Sequence, residues 1–178
     1  MNIGLKRARV ALPLACALAG AVSLANAAEA PIRLVNADGQ GTAIGSVTLA
    51  DTPNGLQLTP ALTGLPPGPH GFHVHANGSC DPASPDGKPV PAGAAGGHFD
   101  PEGHKHHAGP AGIGHLGDLP VLEVDADGRA SKPVIAPRLK LADVTGKALM
   151  IHAGGDNYAD DPAPLGGGGA RIACGVVR

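Results

Sequence analysis

Two histidines stand two apart in the run Gly71-Phe72-His73-Val74-His75-Ala76. On a β-strand, residues two apart share a face. Such a strand turns Phe72, Val74 and Ala76 to the core and both imidazoles outward, and two imidazoles on one face can share a metal ion. His98, His104, His106, His107 and His115 follow, with Asp118 three residues after the last of them. His152 ends the apolar run Leu149-Met150-Ile151, and all nine histidines lie between His70 and His152. This is more imidazole than one zinc needs. Imidazole-rich sites without thiolate suit Zn, Cu(II), Ni or Fe. The residues by themselves therefore indicate a histidine-rich metalloprotein with more than one metal.

The elements that must carry these groups are strands and loops. The 178 residues include 28 glycines and 18 prolines, about a quarter of the chain. Interior glycines each cost a helix roughly 1 kcal/mol against alanine, which disfavours a long helical bundle. The chain is 43% hydrophobic and carries a formal net charge of only −2, so it is too apolar and too weakly charged for a disordered protein. With no basic surplus, no Trp, one Tyr and two Phe, it also lacks the features of a nucleic-acid binder. Short alternating or β-branched runs recur: 32–35, 43–49, 56–62, 71–76, 121–124, 133–136, 147–152 and 171–177. Asn54-Gly55 and Asp127-Gly128 are turn pairs between such runs. The pattern predicts an all-β fold, an eight-stranded antiparallel Greek-key barrel or sandwich. Two stretches rich in Gly and Pro, 77–118 and 153–170, break it and read as long functional loops on the β scaffold.

Residues 1–27 read as a secretory signal peptide. Lys6, Arg7 and Arg9 precede an apolar run, Val10 to Leu24, which is shorter than the ~20 residues that span a bilayer. Ala25-Asn26-Ala27 has the form of a cleavage site. The mature domain is then 28–178, without a membrane span and with a net charge of −5. Two cysteines remain in it, Cys80 and Cys174, an even number that in an exported protein suggests one disulfide.

The wording of four segments goes further. Gly71-Phe72-His73-Val74-His75, Gly97-His98-Phe99-Asp100-Pro101, His115-Leu116-Gly117-Asp118 and Gly168-Gly169-Ala170-Arg171-Ile172-Ala173-Cys174-Gly175 occur in this order along the mature chain. Together they resemble the copper,zinc superoxide dismutase family. Gly154-Gly155-Asp156-Asn157 and the Pro-Leu-Gly-Gly-Gly-Gly run at 164–169 resemble its bacterial periplasmic branch. The resemblance implies that His73, His75, His98 and His152 bind copper. It implies that His98 also binds zinc, with His107, His115 and Asp118. His107 is preferred to His106 because His107-Ala108-Gly109-Pro110 matches the family's wording, which leaves His104 and His106 as solvated loop residues. The spacer from Pro110 to His115 is one residue shorter than usual in the family.

The resemblance further gives Asp156 the role of an outer carboxylate that orients one copper and one zinc ligand, and His70 a supporting role. It implies that Cys80 pairs with Cys174 and that Arg171 attracts the superoxide anion. The implied reaction alternates copper between two oxidation states, with His98 taking a proton, and turns superoxide into O₂ and hydrogen peroxide. It implies a periplasmic location and a homodimer. Lys88 and Lys105 are the cations that could draw an anion towards an otherwise acidic protein. The alternative is a non-enzymatic copper- or zinc-binding protein of the same fold, a kind that typically lacks a ligand or the arginine.

Overall fold

A computed structural model of the chain describes Met1, residues 27–84 and residues 86–178. The signal-peptide reading falls on 1–27 and so lies almost wholly outside the described residues. From Ala27 onward the chain is β-structure: β1 (Ala27–Asn36), β2 (Gly39–Thr52), β3 (Gly55–Thr63), β4 (Gly68–His70), β5 (Phe72–His75), β6 (Leu122–Val124), β7 (Arg129–Ala130), β8 (Val134–Ala136), β9 (Ala148–His152) and β10 (Arg171–Val176). Among the described residues the only α-helix is α1 (Leu141–Val144), a single turn. No described helix is long and apolar enough to cross a membrane.

Each of the eight anticipated runs corresponds to a strand. The two that were not anticipated, β4 and β7, are three and two residues long, too short for an alternating pattern to register. Both turn pairs fall at turns: Asn54-Gly55 in the β2–β3 hairpin, and Asp127-Gly128 in the turn from β6 to β7, closed by the Gly128 N–H to Asp125 O bond. Gly55 opens β3 at φ +121°, and a Cβ there would collide with the Ala136 carbonyl of β8.

The strands form one curled antiparallel sheet in the order β5-β9-β10-β1-β2-β3-β7, with β8 also paired to β3 and a separate β4–β6 ribbon closing the open side. Neighbours such as β5 and β9, or β10 and β1, are distant in sequence, which is the Greek-key mode of connection. The barrel interior is aliphatic: Ile32, Val47, Leu49, Leu56, Leu58, Phe72, Val74, Leu122, Leu149 and Ile151 pack in one buried cluster. At β9 both faces are covered. Leu149 and Ile151 point into that cluster, whereas Ala148 and Met150 belong to a second one with Val35, Cys80, Ala92, Ala95 and Cys174. The second cluster lies between the outside of the barrel and the 77–118 loop, and the Cys80–Cys174 disulfide crosses it.

Candidate metal centre

The outer face of β5 and β9 is where the histidines gather. His73 pairs in register with Met150 and His75 with Ala148, so both rings stand on the outer side of the barrel. They are nevertheless buried, at 0% and 1% exposure. The sequence reading turned them outward, away from the core, and that direction holds. What covers them is the pair of long loops. His152 at the end of β9 shares their face. Opposite it is Arg171, and a register shift between Arg171 and Ala173 marks a bulge in β10. In an unbulged strand Arg171 would alternate to the inward side that Ala173 shares with Ile151; the bulge puts it opposite His152 instead.

The 77–118 loop is not structureless. Its backbone adds to the free edge of β5: Val74 N–H donates to Gly117 O at 2.9 Å, Phe99 N–H to Val74 O at 2.9 Å, and Ala76 N–H to Gly97 O at 3.0 Å. These bonds set His98 opposite His75 and Asp118 opposite His73. A Cβ on Gly117 would run into the Val74 carbonyl, so the close approach requires glycine there. The 153–170 loop folds over the other side, with Gly71 N–H donating to Gly154 O at 2.7 Å.

Two four-residue groups result, each with its ligand atoms within 4.8 Å of one another: His73, His75, His98 and His152, and His98, His107, His115 and Asp118. The first has four buried ring nitrogens with no hydrogen-bond partner: His73 Nδ1, His75 Nε2, His98 Nε2 and His152 Nε2. Leaving such atoms unpaired in a protein interior is costly, and together they make a set of nitrogen donors suited to Cu(II). In the second group the Nδ1 atoms of His107, His98 and His115 stand 2.9, 3.0 and 3.5 Å from Asp118 Oδ1. For zinc bonds of about 2.0–2.1 Å, a tetrahedral edge is about 3.3–3.4 Å. The donor set of three imidazoles and a carboxylate therefore fits zinc, and the four nitrogens fit copper. His98 faces both groups, one nitrogen to each.

Four of the five remaining ring nitrogens are fixed from behind, which sets the tautomers of those rings. His75 Nδ1–H donates to Gly96 O at 2.9 Å and His152 Nδ1–H to Gly169 O at 3.1 Å. Asp156 accepts from His73 Nε2–H through one oxygen and from His107 Nε2–H through the other, both at 2.8 Å. Gly166, at φ +71°, leaves room for that carboxylate; a Cβ would collide with Asp156 Oδ1. His70 stands between the carbonyls of His152 and Pro66, at 2.6 and 2.8 Å, and ties β4 to the end of β9.

Burial lowers the pKa of His73 to about 3, that of His75 to about 2 and that of His152 to about 4. His98 adds to all three shifts, and Arg171 to the last two. His107 behaves oppositely: burial disfavours its charge, but Asp118 and Asp156 outweigh burial and raise it to about 9. Both carboxylates are held well below their usual range despite burial, through their bonds to histidines. For the metal-free protein the sign is clear. Below about pH 6.5 the unfolded chain takes up protons on His73, His75 and His152 that the native state refuses. The contribution of these three rings is then full above that pH and falls by about 1.4 kcal/mol per pH unit for each of them as the pH drops towards 4, whereas that of His107 is full below about pH 6.5 and is lost as the pH rises towards 9. The metal-free urea midpoint should decline steeply from pH 6.5 to 4.5. A flat midpoint over that range would contradict the neutral, buried state of these rings.

Arg171 is half-buried, its Nη1 donating to Ala92 O and its Nη2 to Gly96 O, each at 2.6 Å. It lines a cavity of about 500 Å³ with Ala83, Ser84, Val90, Gly93, Gly96 and Gly97. Every residue singled out as a ligand from sequence thus belongs to one of the two groups, and Asp156, His70 and Arg171 border them. His104 and His106 belong to neither group. Sequence reasoning missed Asp160, whose Oδ2 accepts the His107 N–H at 2.9 Å, and Tyr158, whose hydroxyl accepts the Val121 N–H at 2.9 Å. It also missed Arg138. None of the three stands in a motif; only the fold brings them near the centre.

An antiparallel barrel whose outer face carries two groups of metal-ligand residues with one imidazole in common has the donor set of a metalloprotein. A family model described as copper/zinc superoxide dismutase (SODC) matches residues 43–177. The chain belongs to the copper/zinc superoxide dismutase family. It is 57% identical over 175 residues to superoxide dismutase [Cu-Zn] 2 of Salmonella typhimurium, covering 98% of this chain and 100% of the relative. Cu/Zn superoxide dismutase from Brucella abortus superposes with a TM-score of 0.84 at 51% identity, over 86% of this chain and all of that one. The solution structure of the monomeric copper, zinc superoxide dismutase from Salmonella enterica gives 0.78 at 58% identity, with the same coverage.

Proposed function

We propose that the protein disproportionates superoxide, two superoxide anions and two protons giving O₂ and hydrogen peroxide. His73, His75, His98 and His152 hold the copper, and His98, His107, His115 and Asp118 hold the zinc. The observation that carries this is His98, the one imidazole common to both groups. Bound copper supplies reversible one-electron chemistry, and zinc closes a structural four-donor set.

The chain's own residues do the rest. Arg171 offers a permanent positive charge with its donors in a rigid fork, and the Ala92 and Gly96 carbonyls hold that fork at the cavity wall. His98 is the ring common to both groups, and its Nε2, like the other copper-side nitrogens, has no partner in the protein; it is the ring assigned to take and return a proton. Its Nδ1 stands 3.0 Å from Asp118 Oδ1, both being donors to the zinc position.

Of the two steering cations anticipated, Lys88 has the better position. It lies in the 83–90 turn, closed by the Ala83–Val90 backbone bonds, and Ala83, Ser84 and Val90 line the Arg171 cavity. Lys105 lies on a separate turn held by Asp100, whose carboxylate accepts its N–H at 2.8 Å.

The test is the rate of superoxide disproportionation by the protein loaded with copper and zinc. Arg171→Met should lower kcat/KM about tenfold, equivalent to about 1.4 kcal/mol, with both metals retained. Lys88→Gln should flatten the dependence on ionic strength, and Lys105→Gln should not. An inactive wild type would replace the enzyme reading with a non-catalytic metal-binding one. An unchanged rate in Arg171→Met would remove the role given to that side chain.

We also propose that residues 1–27 direct export to the periplasm and that 28–178 is the mature domain. The disulfide supports an oxidising compartment, and the relatives above are bacterial. Cell fractionation with N-terminal sequencing tests this, and an uncleaved cytoplasmic protein would refute it. The partner the family implies is a second copy of the chain, although the Salmonella enterica relative is described as monomeric. A sedimentation mass of one chain rather than two would exclude the homodimer.

A further inference from the structure

We infer that Arg138 is a positioning residue for His115, acting through the loop that carries it; the inference rests on the zinc assignment proposed above. Arg138 sits between β8 and α1, and its neighbours fix it to the barrel. Ala136 and Leu139 are both 1% exposed, and Leu139 N–H donates to Ala136 O at 3.3 Å. From this anchor the guanidinium crosses to the 109–115 segment. Nη1 donates to Gly112 O, and Nη2 donates to Gly114 O at 2.9 Å. Gly114 directly precedes His115. Glu102 and Asp143 line the same cavity as the arginine, yet its donors are directed to the two backbone carbonyls.

The segment's own side chains anchor it little: Gly109, Gly112 and Gly114 bring none, and Ile113, its largest apolar residue, is 77% exposed. Its backbone packs at two points, Gly109 beneath Tyr158 and Gly114 against Ala108 and His106, and Arg138 adds the directional bonds between them. Its own backbone supplies one long bond, Gly112 N–H to Gly109 O at 3.4 Å, and a better one, His115 N–H to His106 O at 3.0 Å. A two-pronged donor on a rigid strand end restricts such a loop more than a single contact would, because a planar fork fixes direction as well as distance. The His115 Nδ1 atom stands 3.5 Å from Asp118 Oδ1, the longest of the three histidine separations at that carboxylate. It is also the ligand that directly follows a glycine whose carbonyl Arg138 holds.

Two variants separate the donors from the charge. Arg138→Met keeps most of the side-chain length without donors, and Arg138→Lys keeps the charge and one donor centre. Co(II) serves as the probe of the zinc group, with His115→Ala as reference. Arg138→Met should release Co(II) to a chelator about tenfold faster than wild type and show altered d–d bands, with Arg138→Lys between them. The Cu(II) visible spectrum and the urea midpoint of the metal-free protein should match wild type. Identical release and bands in Arg138→Met and wild type would overturn the inference. So would an equal loss at the copper side and in metal-free stability, which would mean a general structural role. Wild type without tetrahedral Co(II) bands that His115→Ala removes would overturn the zinc assignment itself, and the inference with it.

Discussion

Replacing Cys80 and Cys174 by serine is expected to lower the free energy of unfolding by about 4–5 kcal/mol. The bond joins residues 94 apart in sequence, and the entropy a cross-link removes from the unfolded chain grows with the loop it closes, to about 4.7 kcal/mol for a 100-residue loop. The packing beneath it is a weak substitute. The cluster that holds the 77–118 loop against β9 and β10 is small and built largely of alanines: Ala92, Ala95 and Ala148 beside Val35 and Met150. Small side chains bury little apolar area, and burial stabilises by roughly 25 cal/mol per Å². The variant should therefore unfold at a markedly lower urea concentration. It should also lose turnover before it loses fold, because Ala92 and Gly96, which hold Arg171, lie on the segment the disulfide anchors. An unfolding midpoint equal to that of the oxidised wild type would show that the small cluster suffices.

Asp156→Ala should weaken zinc binding 10–100-fold, the usual cost of removing a carboxylate that orients metal-binding imidazoles. Its two oxygens hold one histidine of each group, His73 and His107, so the effect should extend to the copper side as a changed Cu(II) spectrum. In wild type the carboxylate also accepts the Tyr158 N–H at 2.7 Å, which links it to the loop that covers the centre. Asp156→Asn is the sharper variant. An amide offers one acceptor and one donor where two imidazole N–H groups point, so one of them is left opposed. Competition against a chelator of known affinity reads both effects. Zinc affinity equal to wild type in both variants would mean that the loops alone orient the rings.

The parts of this molecule legible in the sequence are those governed by short spacings. A two-residue period on β5 gave His73 and His75 a common face. Glycine in turn pairs located the β2–β3 hairpin at Asn54-Gly55 and the β6–β7 turn at Asp127-Gly128. Motif order along the chain identified the family and, with it, the copper and zinc. The rest depends on contacts between residues far apart. The bulge that turns Arg171 toward His152 shows only in the pairing of β10 with β9. The edge bonds from Gly97, Phe99 and Gly117 to β5 turn the glycine-rich 77–118 stretch into fixed backbone, and no local period signals them. Asp160 and Arg138 look like ordinary surface charges until the fold puts them against the backbone of the histidine loops. Composition alone would have placed the two long loops nearer disorder than order.

The Gly96 carbonyl accepts from both Arg171 Nη2 and His75 Nδ1. One peptide unit thus belongs to the anion-binding fork and to the copper-side ligands at the same time. Any remodelling of the 92–96 backbone, whether by insertion, deletion or relaxation of the loop, displaces both by the same movement. Widening the entrance for a bulkier anion would rotate an imidazole that tunes the copper's potential. With Arg171 as the proposed anion fork and His75 as a proposed copper ligand, the two roles are therefore coupled through one carbonyl, and a variant that alters one without the other must first give His75 a different acceptor.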